Sequence, residues 1–198
     1  MALRLVLCLL LGYLLGSVIV AVVLTKTIFG GDVRERGSGN AGATNVARVF
    51  GWKAGLMTLL GDILKTAAAM LLGRLIAGMA GETAAAFGCL IGHCFPLYFH
   101  FKGGKAVSVS AAIGAFFSWK LLLILLVVFF LMFLLTKRIS ACSMTAGVAF
   151  PLGMLLIGGF PWYALTLGCF IPLFVIFMHR ENLKRLLKGQ EPEFKFGK

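Results

Sequence analysis

Residues 106–136 read AVSVSAAIGAFFSWKLLLILLVVFFLMFLLT, an apolar run with one strong polar interruption, Ser118-Trp119-Lys120. As one α-helix it would be roughly 46 Å long, against a hydrocarbon core of about 30 Å, so a single crossing needs an extreme tilt. A break at Ser118-Trp119-Lys120 gives two short spans instead. Around this run, stretches near 4–26, 54–78, 83–101, 141–159 and 162–179 also read as spans. With two spans in 106–136 the chain crosses seven times. One face then receives Lys26, Arg34, Arg36, Arg48, Lys53, Lys102, Lys105, Lys137, Arg138 and the six basic residues of the tail, fifteen of the nineteen Lys and Arg. With one span, seven fall on one face and at least eight on the other. Because cytoplasmic loops collect Lys and Arg, the seven-crossing arrangement is selected. The expected fold is an all-α integral membrane protein, a seven-transmembrane helix bundle with some short spans, its N-terminus outside and its C-terminus cytoplasmic. Residues 1–198 are expected to form one domain.

Composition agrees with that class. The 198 residues are 60% hydrophobic with mean hydropathy +0.99, far above what a soluble core of this size needs. The excess of 19 basic over 7 acidic residues reflects orientation and anionic headgroups, so nucleic acid is not an expected partner. Arg4 followed by an apolar run resembles a signal peptide. The run continues to about Leu24 without a small-x-small cleavage site, so it is expected to remain as a span. Cys8, Cys89, Cys94, Cys142 and Cys169 form no Cys-x-x-Cys pair and read as packing residues, and the three histidines are too scattered for a metal motif. No metal or cofactor is expected.

Four polar segments gather on the expected cytoplasmic face. The first, residues 36–48, reads Arg36-Gly37-Ser38-Gly39-Asn40-Ala41-Gly42-Ala43-Thr44-Asn45-Val46-Ala47-Arg48. Gly37, Gly39 and Gly42 allow sharp turns that aim backbone N–H groups at one place, while Ser38, Asn40, Thr44 and Asn45 add short donors and Arg36 and Arg48 add charge, a pattern suited to an anion. In the second, Lys102 and Lys105 flank Gly103-Gly104, so that backbone donors and ammonium groups are expected to face one anion. His93, nine residues earlier on a helix interrupted by Pro96, either faces inward beneath this turn or is a core histidine satisfied by a backbone carbonyl. In the third, Ser140 reads as an N-cap and Ser143, one turn on, as a hydroxyl offered to an anion at a helix N-terminus. In the fourth, a helix continuing through His179 puts His179 and Asn182 on one face at i, i+3. Asp62 and Lys65, also i, i+3, lie within a span and are expected to pair and support the site rather than catalyse.

Taken together, Gly37-Ser38-Gly39-Asn40-x-Gly42-Ala43-Thr44-Asn45-x-x-Arg48, then Gly92-His93-x-Phe95-Pro96 leading to Phe101-Lys102-Gly103-Gly104-Lys105, and His179-Arg180-x-Asn182 with Arg185-Leu186 and Gly189-x-Glu191 resemble the three motifs of the bacterial acyl-phosphate-dependent glycerol-3-phosphate acyltransferases, the PlsY family. Motif order and hydropathy agree over nearly the whole chain. The resemblance implies an inner-membrane enzyme, its site facing the cytoplasm, that moves a fatty acyl group from acyl phosphate to the sn-1 hydroxyl of glycerol 3-phosphate. The products are lysophosphatidic acid and phosphate. It also implies that Ser38, Arg48, Lys102, Lys105 and Ser143 surround phosphate groups, with His93, His179 and Asn182 completing the pocket. Functional links to the enzyme that forms acyl phosphate and to the next acyltransferase are implied as well. Two departures stand out. Family members usually read Gly-Val-Ala-Thr after the lysine of the second motif, where this chain has Ala106-Val107-Ser108-Val109, and Thr66 stands where glycine is common.

The residue types suit that chemistry. Acyl phosphate is a mixed anhydride with a stable leaving group, so the task is to hold two phosphorylated molecules with the hydroxyl aimed at the carbonyl. No histidine is followed four residues on by an aspartate, and no Ser-His-Asp grouping is apparent. Direct attack without an acyl-enzyme is therefore expected, a donor-phosphate oxygen taking the proton and His93 or His179 standing as the fallback base. Ser38, Arg48, His93 and Lys105 form the catalytic set, Ser38 and Arg48 as phosphate holders rather than nucleophile or base. Gly37, Gly39, Asn40, Gly42, Thr44, Asn45, Lys102, Gly103, Gly104, Ser143, His179 and Asn182 form the substrate-binding set. The alternative class is a transporter or flippase for phosphate esters or lipids, which also uses basic sites and Gly-broken helices. The absence of paired halves in the hydropathy argues against it.

Overall fold

The computed structural model describes residues 1–194, and every regular element among them is helical. Two of the tail lysines counted above, Lys195 and Lys198, lie outside the described residues. Two compact units divide the chain, one over Met1–Ala112 and one over Ile113–Phe194.

In the first unit, α1 (Ala2–Gly16) and α2 (Val20–Ile28) make up a 27-residue apolar stretch long enough to cross a membrane. A short break at Ser17-Val18-Ile19 separates them. After the Gly-rich loop come α3 (Ala43–Phe50) and the 43-residue α4 (Trp52–Cys94). Ala77 (φ −146°, ψ 28°) and Gly78 (φ 62°, ψ −151°) break α4 into two arms, the second of which folds back along the first. The fold-back depends on small residues. A Cβ on Gly73 would overlap the carbonyl of Gly81, and one on Gly81 that of Gly73. The same device seats α1 on the second arm, where Gly12 and Gly16 lie on the backbone of Ala85 and Cys89, and Gly88 and Gly92 on that of Leu9 and Tyr13. In lipid, where apolar burial does not favour one helix neighbour over another, such close backbone approach is the source of packing energy.

The span expected to end near 101 stops earlier. Helix α4 ends at Cys94 because Pro96 lacks an N–H and forces the preceding residue out of helical geometry, and Phe95 accordingly sits at φ −123°, ψ 67°. A 3₁₀ turn, Leu97–Phe99, and an irregular loop lead to α5 (Val107–Phe117), within which the unit boundary falls.

The second unit continues with α6 (Trp119–Thr136), α7 (Ile139–Ile157), α8 (Trp162–Met178) and α9 (Arg180–Leu187). The break between α5 and α6 falls at Ser118, in extended geometry (φ −165°, ψ 128°), at the interruption the sequence marked. Leu121, Phe150, Met154 and Ile171 are buried at the centre of this unit. Four helical stretches are long and apolar enough to cross a membrane, or five if the bent α8–α9 pair is one span. That is fewer than the seven expected. The 48-residue stretch Trp52–Phe99 counts once despite its break, and the 11-residue α5 is only about 16 Å long. The expected straight continuation through His179 is also corrected: the chain bends there by 65°.

Candidate functional site

Gly37 and Gly39 hold left-handed conformations (φ 60° and 71°), whereas Gly42 is extended (φ −131°) and serves as the N-cap of α3. The loop is not an open ring of donors. Asn45 lies buried inside it, its Nδ2 donating to the carbonyls of Val33, Arg36 and Asn40 at 3.1, 3.0 and 3.0 Å, while its Oδ1 accepts from the Ser38 N–H at 2.9 Å. The Gly39 N–H donates to Arg36 O. Asn45 is therefore the staple of this loop rather than a substrate donor. Left facing outward are Ser38 and Arg48, both exposed, with Asn40 and Thr44 half-buried, beside an α3 N-terminus that no side chain caps. An uncapped helix start carries partial positive charge and suits an anion.

Arg34 ties this loop to the second polar segment. Its Nη1 donates to Phe99 O at 3.1 Å and Lys102 O at 3.4 Å, while Nε and Nη2 grip the Asp32 carboxylate, Nη2 at 2.7 Å. Hydrogen bonding from Arg34 holds the Asp32 carboxyl down at about 2 despite its burial, with Lys26 3.3 Å away adding to the effect, and Asp32 in turn raises the Arg34 guanidinium.

The Gly103-Gly104 turn also differs from its sequence reading. The N–H groups of Gly103 and Gly104 donate to Cys94 O and His93 O at 3.2 and 3.0 Å, so they are spent on the backbone and do not face an anion. Glycine is required here by close approach: a Cβ on Gly103 would overlap His93 O, and one on Gly104 would overlap His93 Nε2. Lys102 is exposed and Lys105 half-buried. His100, Phe101 and Ala106 carry positive φ (56°, 59° and 64°), so this loop stores backbone strain, as functional loops often do. Ala106 holds a left-handed conformation that favours glycine.

Beneath the turn lies a buried polar cluster. Lys65 Nζ is 3.0 Å from Asp62 Oδ1 and 3.0 Å from His93 Nδ1, and it also donates to Gly16 O and Val18 O at the α1–α2 break. Ser108 donates to Asp62 Oδ2 at 2.8 Å, giving the displaced hydroxyl of the second motif a partner. The Asp62–Lys65 pair read from the sequence is thus present, and His93 and Ser108 join it.

In the second unit, Ser140 is not an N-cap. Arg138 holds that position, and Ser140 Oγ donates to Glu191 Oε1 at 2.6 Å. Asn182 Nδ2 reaches the same oxygen at 2.6 Å, and Arg185 Nε reaches Oε2 at 2.7 Å. Burial pushes the Glu191 carboxyl up, but the bonds from Ser140, Asn182 and Arg185 outweigh it and hold the group below its ordinary range. Ser143 donates to Ile139 O at 2.8 Å and is buried, so it offers lone pairs rather than a donor. His179 Nδ1 lies 2.8 Å from Val175 O. Glu191, Ser108 and Arg34 make contacts that the candidate residues read from the sequence do not include. The first two stood in or beside quoted motifs, while Arg34 carried no local signal. Among the described residues no three His, Cys, Asp or Glu side chains are placed to hold a metal ion.

These features define a helical integral membrane protein whose polar loops carry arginine, lysine and short hydroxyl side chains. The chain belongs to the glycerol-3-phosphate acyltransferase family, whose model matches residues 6–189. It is 41% identical to the glycerol-3-phosphate acyltransferase of Syntrophotalea carbinolica over 94% of this chain and 96% of that protein. It is 39% identical to glycerol-3-phosphate acyltransferase 2 of Bacillus anthracis, over 94% and 97% respectively. Two crystal structures of PlsY, an integral membrane glycerol 3-phosphate acyltransferase, are similar in fold. The glycerol 3-phosphate form has a TM-score of 0.89 at 34% identity, covering 96% of each chain. The lysophosphatidic acid form has a TM-score of 0.87 at 32% identity, covering 97% of this chain and 96% of that one.

Proposed function

We propose that this chain transfers a fatty acyl group from acyl phosphate to the sn-1 hydroxyl of glycerol 3-phosphate, giving lysophosphatidic acid and inorganic phosphate. The observation that carries the reading is near-full-length similarity to a protein solved in forms named for the acceptor and the product. The acyl phosphate donor is the finer part, and its support is chemical. The hydroxyl oxygen attacks the acyl carbonyl, the carbonyl-to-phosphate C–O bond breaks, and the hydroxyl proton passes to the departing phosphate. A leaving group this stable asks for held phosphates more than for a strong base. In the first unit Ser38, Arg48, Lys102 and Lys105 would hold phosphate; within the second, Ser143, His179 and Asn182 are read as substrate-binding side chains. We read residues 1–198 as one membrane-embedded acyltransferase domain of the bacterial inner membrane, crossing seven times, its C-terminus and active site cytoplasmic. The two arms of α4 would count as two crossings and the short α5 as one. Coupling to the enzyme that forms acyl phosphate and to the next acyltransferase follows from donor and product.

Purified protein given labelled glycerol 3-phosphate and acyl phosphate is expected to form labelled lysophosphatidic acid, and Ser38→Ala and Arg48→Ala are each expected to lower the rate at least tenfold. No product from the wild type would overturn the function, and full activity in both variants would overturn the site.

A further inference from the structure

We propose that Lys65 is a positioning residue that fixes His93 as the neutral Nε2–H tautomer, so that His93 meets the substrate site as a hydrogen-bond donor and not as a base. This rests on assigning the Lys102–Lys105 turn to the substrate site.

An ammonium has three N–H donors and no lone pair. Two of those on Lys65 go to Gly16 O at 3.1 Å and Val18 O at 2.7 Å. Asp62, 1% exposed with its Oδ1 3.0 Å away, requires that the lysine be charged, since a neutral amine would leave a carboxylate uncompensated in the membrane interior. The remaining N–H points at His93 Nδ1, 3.0 Å away, while Asp62 Oδ1 has the charge nearby but no hydrogen bond of good geometry. A proton on Nδ1 would be aimed at that ammonium, and Asp62 Oδ1, 3.6 Å from Nδ1, is too far to accept it. The Nδ1 lone pair is therefore the acceptor, and the ring proton sits on Nε2.

The position of Nε2 gives the tautomer a consequence. His93 is 1% exposed, and Nε2 lies against Gly104 so closely that a Cβ there would overlap it. Its N–H therefore lies at the underside of the turn carrying Lys102 and Lys105. A phosphoryl oxygen bound at the turn is the kind of acceptor that fits. The one lone pair of the ring is committed to Lys65, so His93 has none to offer an acceptor hydroxyl. His179 is set the other way in its neutral form, because Nδ1–H donates to Val175 O and leaves the lone pair on Nε2.

The test is ¹⁵N-histidine NMR of the detergent-purified full chain, which has only three histidines. His93→Gln and His179→Gln spectra assign the signals. Expected is a proton on Nε2 of His93 and on Nδ1 of His179. An Nδ1–H or imidazolium signal for His93 would overturn the proposal. Lys65→Met is expected to turn the single His93 tautomer into a mixture, and an unchanged tautomer there would overturn the positioning role. If Lys65→Met does not fold, His93→Gln, which keeps a donor at the ε position, supplies the second measurement. Its kcat is expected within about tenfold of wild type, whereas loss of a general base costs about 10²- to 10⁴-fold. A hundredfold fall in kcat with KM unchanged would contradict the donor role. A wild type inactive with every acyl donor would remove the functional reading while the spectra still decide the tautomer.

Discussion

Asn45 Oδ1 accepts the Ser38 N–H at 2.9 Å, so the most polar loop of the chain is built around a buried amide that shapes it from within. The two Nδ2 hydrogens of the same side chain are shared among the carbonyls of Val33, Arg36 and Asn40. Asn45→Ala would leave buried polar groups unpaired at about 1–3 kcal/mol each where water cannot replace the partner. We expect a loss of about 2–4 kcal/mol in thermal or denaturant unfolding, with KM for glycerol 3-phosphate raised more than kcat is lowered. A variant as stable as wild type would show that the amide is not the staple.

Asp32 supplies a pH dependence. Its folded carboxyl is held at about 2 against an ordinary value of 3.8, so the folded state binds fewer protons than the unfolded one between those values. The stabilisation is complete above about pH 4 and is lost as pH falls towards about 2, and it amounts to at most about 2 kcal/mol. Unfolding midpoints should drop more steeply across pH 4 to 2 in wild type than in Asp32→Asn. Parallel curves would show that Asp32 does not contribute this stabilisation.

Ala106 offers a stabilising substitution. An L-residue at φ 64° costs about 1–2 kcal/mol, partly offset by the greater unfolded-state entropy of glycine. Ala106→Gly is expected to raise stability by about 0.5–1 kcal/mol in denaturant unfolding, and a destabilised variant would mean that the Ala106 methyl contributes packing that outweighs its strain.

Helix pairing makes a separate prediction. Gly88 meets Leu9 O where a Cβ would stand, so Gly88→Leu must push α1 off the second arm of α4. We expect at least about 2 kcal/mol of destabilisation, read as a lowered melting temperature in detergent. An unchanged melting temperature would contradict the close backbone contact.

The apolar framework is legible because membrane thickness sets a length scale that hydropathy alone can be measured against, and that scale marks the break at Ser118. The glycine spacings 12/16 and 88/92 were equally visible in the sequence, yet which helices they join depends on tertiary pairing. Polar groups were harder to read. Local sequence does not tell whether a short amide such as Asn45 bonds a ligand or its own backbone, nor whether Gly103-Gly104 is open to hold an anion or to clear a histidine ring. Glu191 carries one charge among many in the tail, and only the 65° bend at His179 and the turn that follows α9 show why Asn182 and Ser140 converge on it.

Transfer from acyl phosphate to glycerol 3-phosphate is decided by a donor comparison on purified wild-type protein. Labelled glycerol 3-phosphate would be offered with acyl phosphate, acyl-CoA or acyl-carrier protein in separate reactions, measuring lysophosphatidic acid and released phosphate together. Product is expected from acyl phosphate alone, with one phosphate released for each lysophosphatidic acid formed. Product from acyl-CoA alone, or none from acyl phosphate, would overturn the donor assignment.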